Sequence, residues 1–219
     1  MASNITLLDL RNACKDRADM QNSNFITDDE WNRYINSAAK ELYEILILKG
    51  LQYTTTTDTI SLNGTDDTYD LPSNFFKLVG VDHNINNETY PMEEYTFQNR
   101  NLYNQQNTQR YLRYRLVGED MIRFNPKPSA QEITIWYDPV LATLSDDADT
   151  LNGVNGWEEY VIVRSALWAK VKEESETGDL KQDIAFLRDR IETAAENRDL
   201  GPAGQVTDVR RDRRSRWEF

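Results

Sequence analysis

The chain has 219 residues, of which 39% are hydrophobic, so it is long and apolar enough to bury a core as one large domain or one domain with an insertion. Its formal net charge of −12 argues against broad, sequence-independent nucleic-acid binding, and no stretch approaches the ~20 consecutive apolar residues that a membrane span needs. The single cysteine excludes an internal disulfide and a cysteine zinc cluster, and the single histidine excludes catalytic schemes that use two or more histidines.

Two helices are predicted in the first 50 residues. The apolar face of the first consists of Leu7, Leu10, Cys14 and Ala18. Cys14 on that face is interpreted as a core residue and not as a reactive thiol. The second helix begins at a capping-box pattern, with Thr27 at the N-cap and Glu30 three positions later, and ends at Lys49 and Gly50. Its apolar face consists of Trp31, Tyr34, Ile35, Ala38, Leu42, Ile45 and Leu46.

Residues 51–154 are predicted to form an antiparallel sheet or a small barrel, because β-branched and aromatic runs alternate with turn residues. The candidate strands are QYTTTTDTISL, FFKLVGVDHNI, YLRYRLV, DMIRF and EITIWYDP. Asn63 with Gly64, and Gly118, mark turns between them. The stretch TFQNRNLYNQQNTQR is either a short helix with a loop or an exposed excursion. His83 is interpreted as a surface or turn residue and not as a catalytic base.

Helical periodicity returns near residue 155. Asn155 is the expected N-cap of the third helix, and Gly178 is expected to end it. The fourth helix carries a narrow apolar seam of Leu180, Ile184, Leu187, Ile191 and Ala194. A seam of this width suits either the monomer core or an interface between copies.

The predicted fold class is therefore α+β, with a four-helix core of two N-terminal and two C-terminal helices and an inserted antiparallel β-sheet or small barrel. We expect residues 1–50 and 155–200 to form a helical body, and residues 51–154 to form the inserted β-rich domain. Residues 201–219 are expected to be an extended C-terminal docking arm.

The arm differs in composition from the rest of the chain, because it carries five arginines against three acids and ends in aromatic residues. Arginine beside aromatic anchors is typical of a protein interface. The predicted partner-binding residues are Arg210, Arg211, Arg213, Arg214, Arg216, Trp217 and Phe219. Two alternatives are a frayed end without a role and a nucleic-acid-binding tail, which the acidic remainder of the chain would oppose.

No catalytic residue, cofactor site or metal site is predicted, and an enzyme is not expected. The phosphate-binding patterns GxxxxGK[ST] and GxGxxG and the GxSxG nucleophile pattern do not occur. The acids in residues 145–149 (SDDAD) could bind calcium, but they lack the turn glycine and the distant glutamate of the familiar loop, so a solvated loop is favoured. Other acid pairs lie where helices are predicted to begin, which the helix dipole explains.

Three passages together indicate a family. They are INSAAKELY at residues 35–43, YDLPSNFFKL at residues 69–78, and WEEYVIVRSALWAKVKEES at residues 157–175. In this order and spacing they resemble head-to-tail connector (adaptor, or head-completion) proteins of tailed bacteriophages. That family commonly has an acidic residue at the position of Asn74. Any role of the acid's carboxylate is therefore not carried over to this chain.

The resemblance implies a structural virion protein that forms a ring of roughly twelve copies beneath the portal. Such a ring joins the capsid to the tail and continues the DNA channel. The implied partners are the portal protein, a tail or nozzle protein, and double-stranded DNA that passes through without sequence-specific binding. The expected location is the virion neck, after assembly in the host cytoplasm, with the arm reaching the portal.

Two alternatives to this function remain. One is another neck or tail component, such as a tail-tube or head-completion protein. The other is a cellular binding module that docks an acidic partner through its arginine-rich and aromatic arm.

Overall fold

The computed structural model describes residues 4–49, 53–85, 88–101, 112–154 and 156–196. The helices within them are α1 (Leu7–Arg17), α2 (Asp28–Leu48), α3 (Glu158–Lys172) and α4 (Gly178–Glu196). The strands within them are β1 (Asn4–Thr6), β2 (Thr56–Asn63), β3 (Thr68–Asp70), β4 (Phe75–Ile85), β5 (Glu88–Pro91), β6 (Arg113–Val117), β7 (Met121–Asn125), β8 (Ala130–Pro139) and β9 (Thr150–Asn152). The predicted α+β class is confirmed.

The described strands form antiparallel sheets with the orders β2-β8-β4-β5, β3-β7-β6 and β1-β9. The predicted turn at Gly118 joins β6 to β7, and its φ of 69° is a conformation that glycine adopts at little cost. At the other predicted turn, the Asn63 side chain accepts hydrogen bonds from the backbone N–H groups of Thr65 and Asp66, and the chain passes from the first sheet to the second. Of the two predicted alternatives, the described strands therefore form open sheets and close no barrel.

A core lies between the two larger sheets. Side chains alternate along β8, so that Ile133, Ile135 and Tyr137 are buried while Trp136 is exposed. Ile122 and Phe124 of β7 meet them from the other sheet. This period of two is the physical reason that the segment forms strands and not a helix.

A second core lies among the helices. Its largest fully buried side chains from α1, α2, α3 and α4 are Leu7, Leu10, Trp31, Ile35, Tyr160, Val161 and Ile191. The predicted apolar faces of α1 and α2 are buried here, apart from Tyr34, which is half-buried. Helix α3 is buried on several sides because it contacts α1, α2 and α4.

The seam of α4 packs onto this core of its own chain. Ile191 is fully buried, and Leu180, Ile184 and Leu187 are half-buried against the same cluster. Ala194, the last predicted member of the seam, is exposed. Of the two roles left open by the sequence, the described packing thus uses the seam within one copy.

The segment that follows β8 returns to the helices. Leu144 and Leu151 are buried in the helical core, and β9 pairs with β1, a short strand that the sequence did not predict. The amide of Asn36 on α2 holds this segment, since its Nδ2 donates to the Leu144 carbonyl at 2.9 Å and its Oδ1 accepts from the Leu144 N–H at 2.8 Å. Arg11 also binds the segment, donating to Asp147 at 2.6 Å.

Substituting Asn36 by alanine is expected to lower the free energy of unfolding by about 2–3 kcal/mol, because two backbone groups of Leu144 lose their partner in a half-buried place. Urea denaturation followed by tryptophan fluorescence measures the change. The exposed neighbour Ser37 gives the matched control, and Ser37→Ala should alter stability by less than about 0.5 kcal/mol. Equal stability of both variants would show that the Leu144 contact contributes nothing.

The start of α2 follows the predicted capping pattern in part. The Thr27 side chain accepts from the Glu30 N–H at 3.3 Å, which confirms the N-cap. The Glu30 carboxylate binds elsewhere, accepting from Tyr34 at 2.8 Å and from Lys172 at 2.7 and 2.8 Å. It therefore links α2 to the end of α3. Lys49 is the C-cap of α2, and Gly50 lies outside the described residues.

Two predicted boundaries of the later helices are wrong. The N-cap of α3 is Trp157 and not Asn155, which itself lies outside the described residues. Gly178 begins α4 instead of ending α3. The reversal between them is made at Glu174, whose φ is 61°, and the Glu176 carboxylate accepts from the Gly178 N–H at 2.9 Å.

Candidate interaction surface

Cys14 is buried between α1 and α3 and is no candidate nucleophile. Its exposed fraction is 0%, and burial raises its pKa to about 12. A thiol with that pKa stays protonated at neutral pH, and the thiolate is the reactive form. The interpretation of Cys14 as a core residue is confirmed.

His83 is buried, so its interpretation as a surface or turn residue is wrong. It lies on β4 opposite Ile133 of β8, a position on the inner face of the sheet. Its Nε2 is 2.7 Å from Oε1 of Gln131, so the imidazole has a polar partner within the sheet. The alternation of β4 carries this signal, but the polar residues around His83 in the sequence conceal it.

Two acids of residues 145–149 bind groups of the chain itself. The Asp149 carboxylate accepts from the backbone N–H groups of Asp146 and Ser145, at 2.9 and 2.7 Å, and these bonds hold its pKa below the usual value. Asp147 binds Arg11. Within the described ranges, no group of three or more histidine, cysteine or acidic side chains is placed to hold a metal ion.

A polar network joins α2 and α3 beside the helical core. The Glu41 carboxylate accepts from the Tyr160 hydroxyl and from Nε of Arg164, both at 2.8 Å. Burial, and next the bond to Glu41, raise the pKa of Tyr160, so its phenol stays protonated and donates. The Arg164 guanidinium also lies 4.9 Å from the centre of the Trp168 ring. Every group here has a packing partner, which indicates a structural role.

A cationic and aromatic patch lies where a short 3-10 helix (Phe97–Asn99) meets β6 of the three-stranded sheet. The Phe97 ring is 60% exposed, and the guanidinium groups of Arg100 and Arg115 lie 4.3 and 5.2 Å from its centre. Arg115 faces Arg123 directly across β6 and β7. Like charges directly opposite each other on neighbouring strands repel. The Asp67 carboxylate, which binds Arg123 at 2.8 Å, offsets this repulsion.

An apolar hollow of about 310 Å³ lies where α2 meets the four-stranded sheet. It is lined by Glu44, Ile47, Leu48, Phe76 and Lys77. Leu48 is 80% exposed and Phe76 is 48% exposed, although both are large apolar side chains. We call these five residues the α2 hollow. Exposed apolar surface of this kind often marks a protein contact.

The described surface therefore offers contact patches and no catalytic constellation. The sequence model of the SU10 adaptor protein family matches residues 5–215 of this chain. The chain belongs to the SU10 adaptor protein family. No curated protein matches the chain. The resemblance to phage head-to-tail adaptors, noted from three short passages, is thereby confirmed.

Family membership makes the chain a structural adaptor protein of a bacteriophage, which implies no enzymatic activity. It places the adaptor in the virion neck, where it interacts with head and tail components. Within the described part of the adaptor, none of the helices combines the length and apolar character needed to cross a bilayer.

The seven predicted partner-binding residues of the adaptor arm all lie outside the described residues. They are Arg210, Arg211, Arg213, Arg214, Arg216, Trp217 and Phe219. The structure does place the element that precedes the arm, because Glu192 near the end of α4 lies 3.4 Å from Lys49 at the end of α2. The contact between the chain and its partners through the arm stays a prediction.

Proposed function

We propose that this adaptor forms a ring of roughly twelve copies beneath the portal, joins the capsid to the tail, and continues the DNA channel. The observation that carries the proposal is the family match over residues 5–215. The proposed partners are the portal protein above and a tail or nozzle protein below, with double-stranded DNA passing through. Assembly takes place in the host cytoplasm before the adaptor becomes part of the virion.

The parts of the chain have separate roles in this proposal. Residues 1–50 and 155–200 form a four-helix body that builds the ring. Residues 51–154 form the inserted β-rich domain, whose last part, with Leu144 and Leu151, packs back onto that body. Residues 201–219 form the arm that docks on the portal. The contact between Lys49 and Glu192 supports this division, because it places the last part of α4 beside the end of α2, after which the β-rich domain begins.

The charge of the adaptor suits a channel that DNA passes without adhering. A net charge of −12 in each copy, multiplied around a ring, produces a negative field that opposes phosphate binding. The arm is the exception, with five arginines against three acids. Its arginines fit carboxylates on a protein partner, with which they form paired hydrogen bonds.

Cosedimentation with the purified portal tests this function. The full-length adaptor is expected to sediment with the portal, and a truncation after Gly201 is expected to remain in the supernatant. A full-length control with residues 202–219 in scrambled order keeps the charge and length of the arm but removes its pattern.

The outcomes of this experiment separate the parts of the proposal. Equal binding by the full-length and truncated adaptors would place the portal contact on the folded body and contradict the docking arm. Binding by the scrambled control would show that the amino-acid composition of the arm suffices and its order does not matter. A full-length adaptor that binds no portal and stays monomeric would contradict the proposed function.

A further inference from the structure

We propose that neighbouring copies of the adaptor meet through Phe186 of one copy and the α2 hollow of the next. This inference rests on the proposed ring and names the surfaces that would close it. A ring of identical copies needs two different surfaces on each copy, one complementary to the other. Phe186 and the α2 hollow are such a pair.

Phe186 is an unpartnered apolar side chain on the outer face of α4. It is 67% exposed, although its neighbours Ile184 and Leu187 pack on the helical core. Successive residues of a helix are turned by about 100°, so Phe186 points away from the face that carries Ile184 and Ile191. Its exposure thus follows from its position, and the fold of the single copy does not use its ring.

The α2 hollow can receive an aromatic ring. Its volume is about 310 Å³, and Ile47, Leu48 and Phe76 supply its apolar lining. The hollow is held open by packing, because the Phe76 ring lies 6.4 Å from the Tyr43 ring and the Lys77 ammonium donates to the Ile47 carbonyl at 3.1 Å. An aromatic side chain in a preformed apolar pocket is the usual form of an interface hot spot.

The charges around the two surfaces are complementary. Asp189 and Arg190 follow Phe186 by three and four positions, so they lie on the same exposed face of α4. The hollow has one acid and one base at its rim, Glu44 and Lys77, both exposed. A copy seated with Phe186 in the hollow can pair Arg190 with Glu44 and Asp189 with the lysine, and these pairs would fix its orientation.

The two surfaces do not meet within one copy. The Phe186 ring is 67% exposed, and the described residues that line the hollow belong to α2 and β4, with none from α4. Contact between Phe186 and the hollow therefore joins different copies. Because the two surfaces differ, the contact is head-to-tail, and such a contact closes a ring where the rotation between copies fits.

The assembly state of the full chain tests this interface. Phe186→Ser is expected to weaken self-association at least about 30-fold, the effect of losing one central aromatic anchor. Sedimentation velocity over a concentration series measures the change. Phe97→Ser is the matched control, because Phe97 is 60% exposed but lies in a short 3-10 helix (Phe97–Asn99) that follows β5. It should assemble as the unmodified chain does.

A charge exchange tests the proposed orientation. Glu44→Arg and Arg190→Glu should each weaken assembly, and the double variant should restore at least half of the loss. Thermal unfolding followed by circular dichroism should be unchanged in every variant, since all the exchanged side chains are exposed. A change confined to assembly separates an interface from a folding defect.

The results distinguish this interface from the ring itself. Rings that form equally well with Phe186→Ser would overturn the interface and leave the proposed function intact. Equal losses of self-association in Phe186→Ser and Phe97→Ser would also overturn it, since the loss would then not be specific to the surface around Phe186. An unmodified chain that forms no ring, alone or with the portal, would overturn both the interface and the proposed function.

Discussion

Substituting Ile191 by alanine is expected to lower the free energy of unfolding by about 2–5 kcal/mol. Ile191 has an exposed fraction of 0%, whereas the described seam residues before it on α4 are half-buried. Removing its side chain leaves a cavity where α4 meets the core, and the surrounding side chains are fixed by packing. Urea denaturation with linear extrapolation measures the loss.

The matched control lies on the same helix. Phe186→Ala removes a larger apolar side chain, yet its effect on the stability of the single copy should stay within about 0.5 kcal/mol because the ring is exposed. If Ile191→Ala left the single copy as stable as before and instead weakened assembly, the seam of α4 would be an interface between copies. The structure instead places Ile191 in the core of the single copy and Phe186 on its surface.

The helical faces were predictable because their signal is local. Apolar residues at spacings of three and four must share one side of a helix, so the burial of Trp31, Ile35 and Leu42 follows from the pattern alone. The β6 to β7 turn was predictable for a similar reason, since Gly118 adopts a positive φ that other residues avoid. Such inferences need only neighbouring residues.

The features that the sequence analysis missed depend on distant contacts. Strand β1 has three residues, too few for a period, and exists because β9 pairs with it. Asn36 has a polar side chain on α2, and its partner Leu144 lies 108 positions away. The start of α4 depended on Glu176, whose carboxylate accepts from the N–H groups of Thr177 and Gly178, where the helix begins.

The candidate interface left a trace in the sequence that the periodic faces obscured. Leu48 and Phe186 are large apolar residues that fall outside the apolar faces of α2 and α4. A residue of this kind is either an accident of the surface or a contact. For Leu48 the structure favours a contact, because Phe76 of β4 lies beside it and both line the α2 hollow. For the arm, the composition indicates a partner. Its sequence has neither a helical nor a strand period, so it predicts no secondary structure there.

Replacing Trp217 and Phe219 together by alanine is expected to weaken binding to the portal by a factor of roughly 1,000. Each aromatic anchor in a well-packed interface contributes on the order of 2 kcal/mol, which corresponds to about 30-fold in affinity. The arm repeats in every copy of the ring, so each local loss recurs around it and the whole attachment weakens further. Biolayer interferometry with immobilised portal measures the dissociation rate, in which most of the change should lie.

Exchanging the five arginines 210, 211, 213, 214 and 216 for lysines is the companion variant, because it keeps the charge of the arm and removes the planar fork that pairs with carboxylates. An intermediate loss is expected, and it should grow as salt is raised, since lysine retains only the screened charge attraction. If the lysine exchange abolished binding while Trp217→Ala and Phe219→Ala did not, the arm would dock through guanidinium pairing alone. If neither variant changed binding, the docking surface would have to lie on the folded body, with the cationic patch around Phe97 as the next surface to alter.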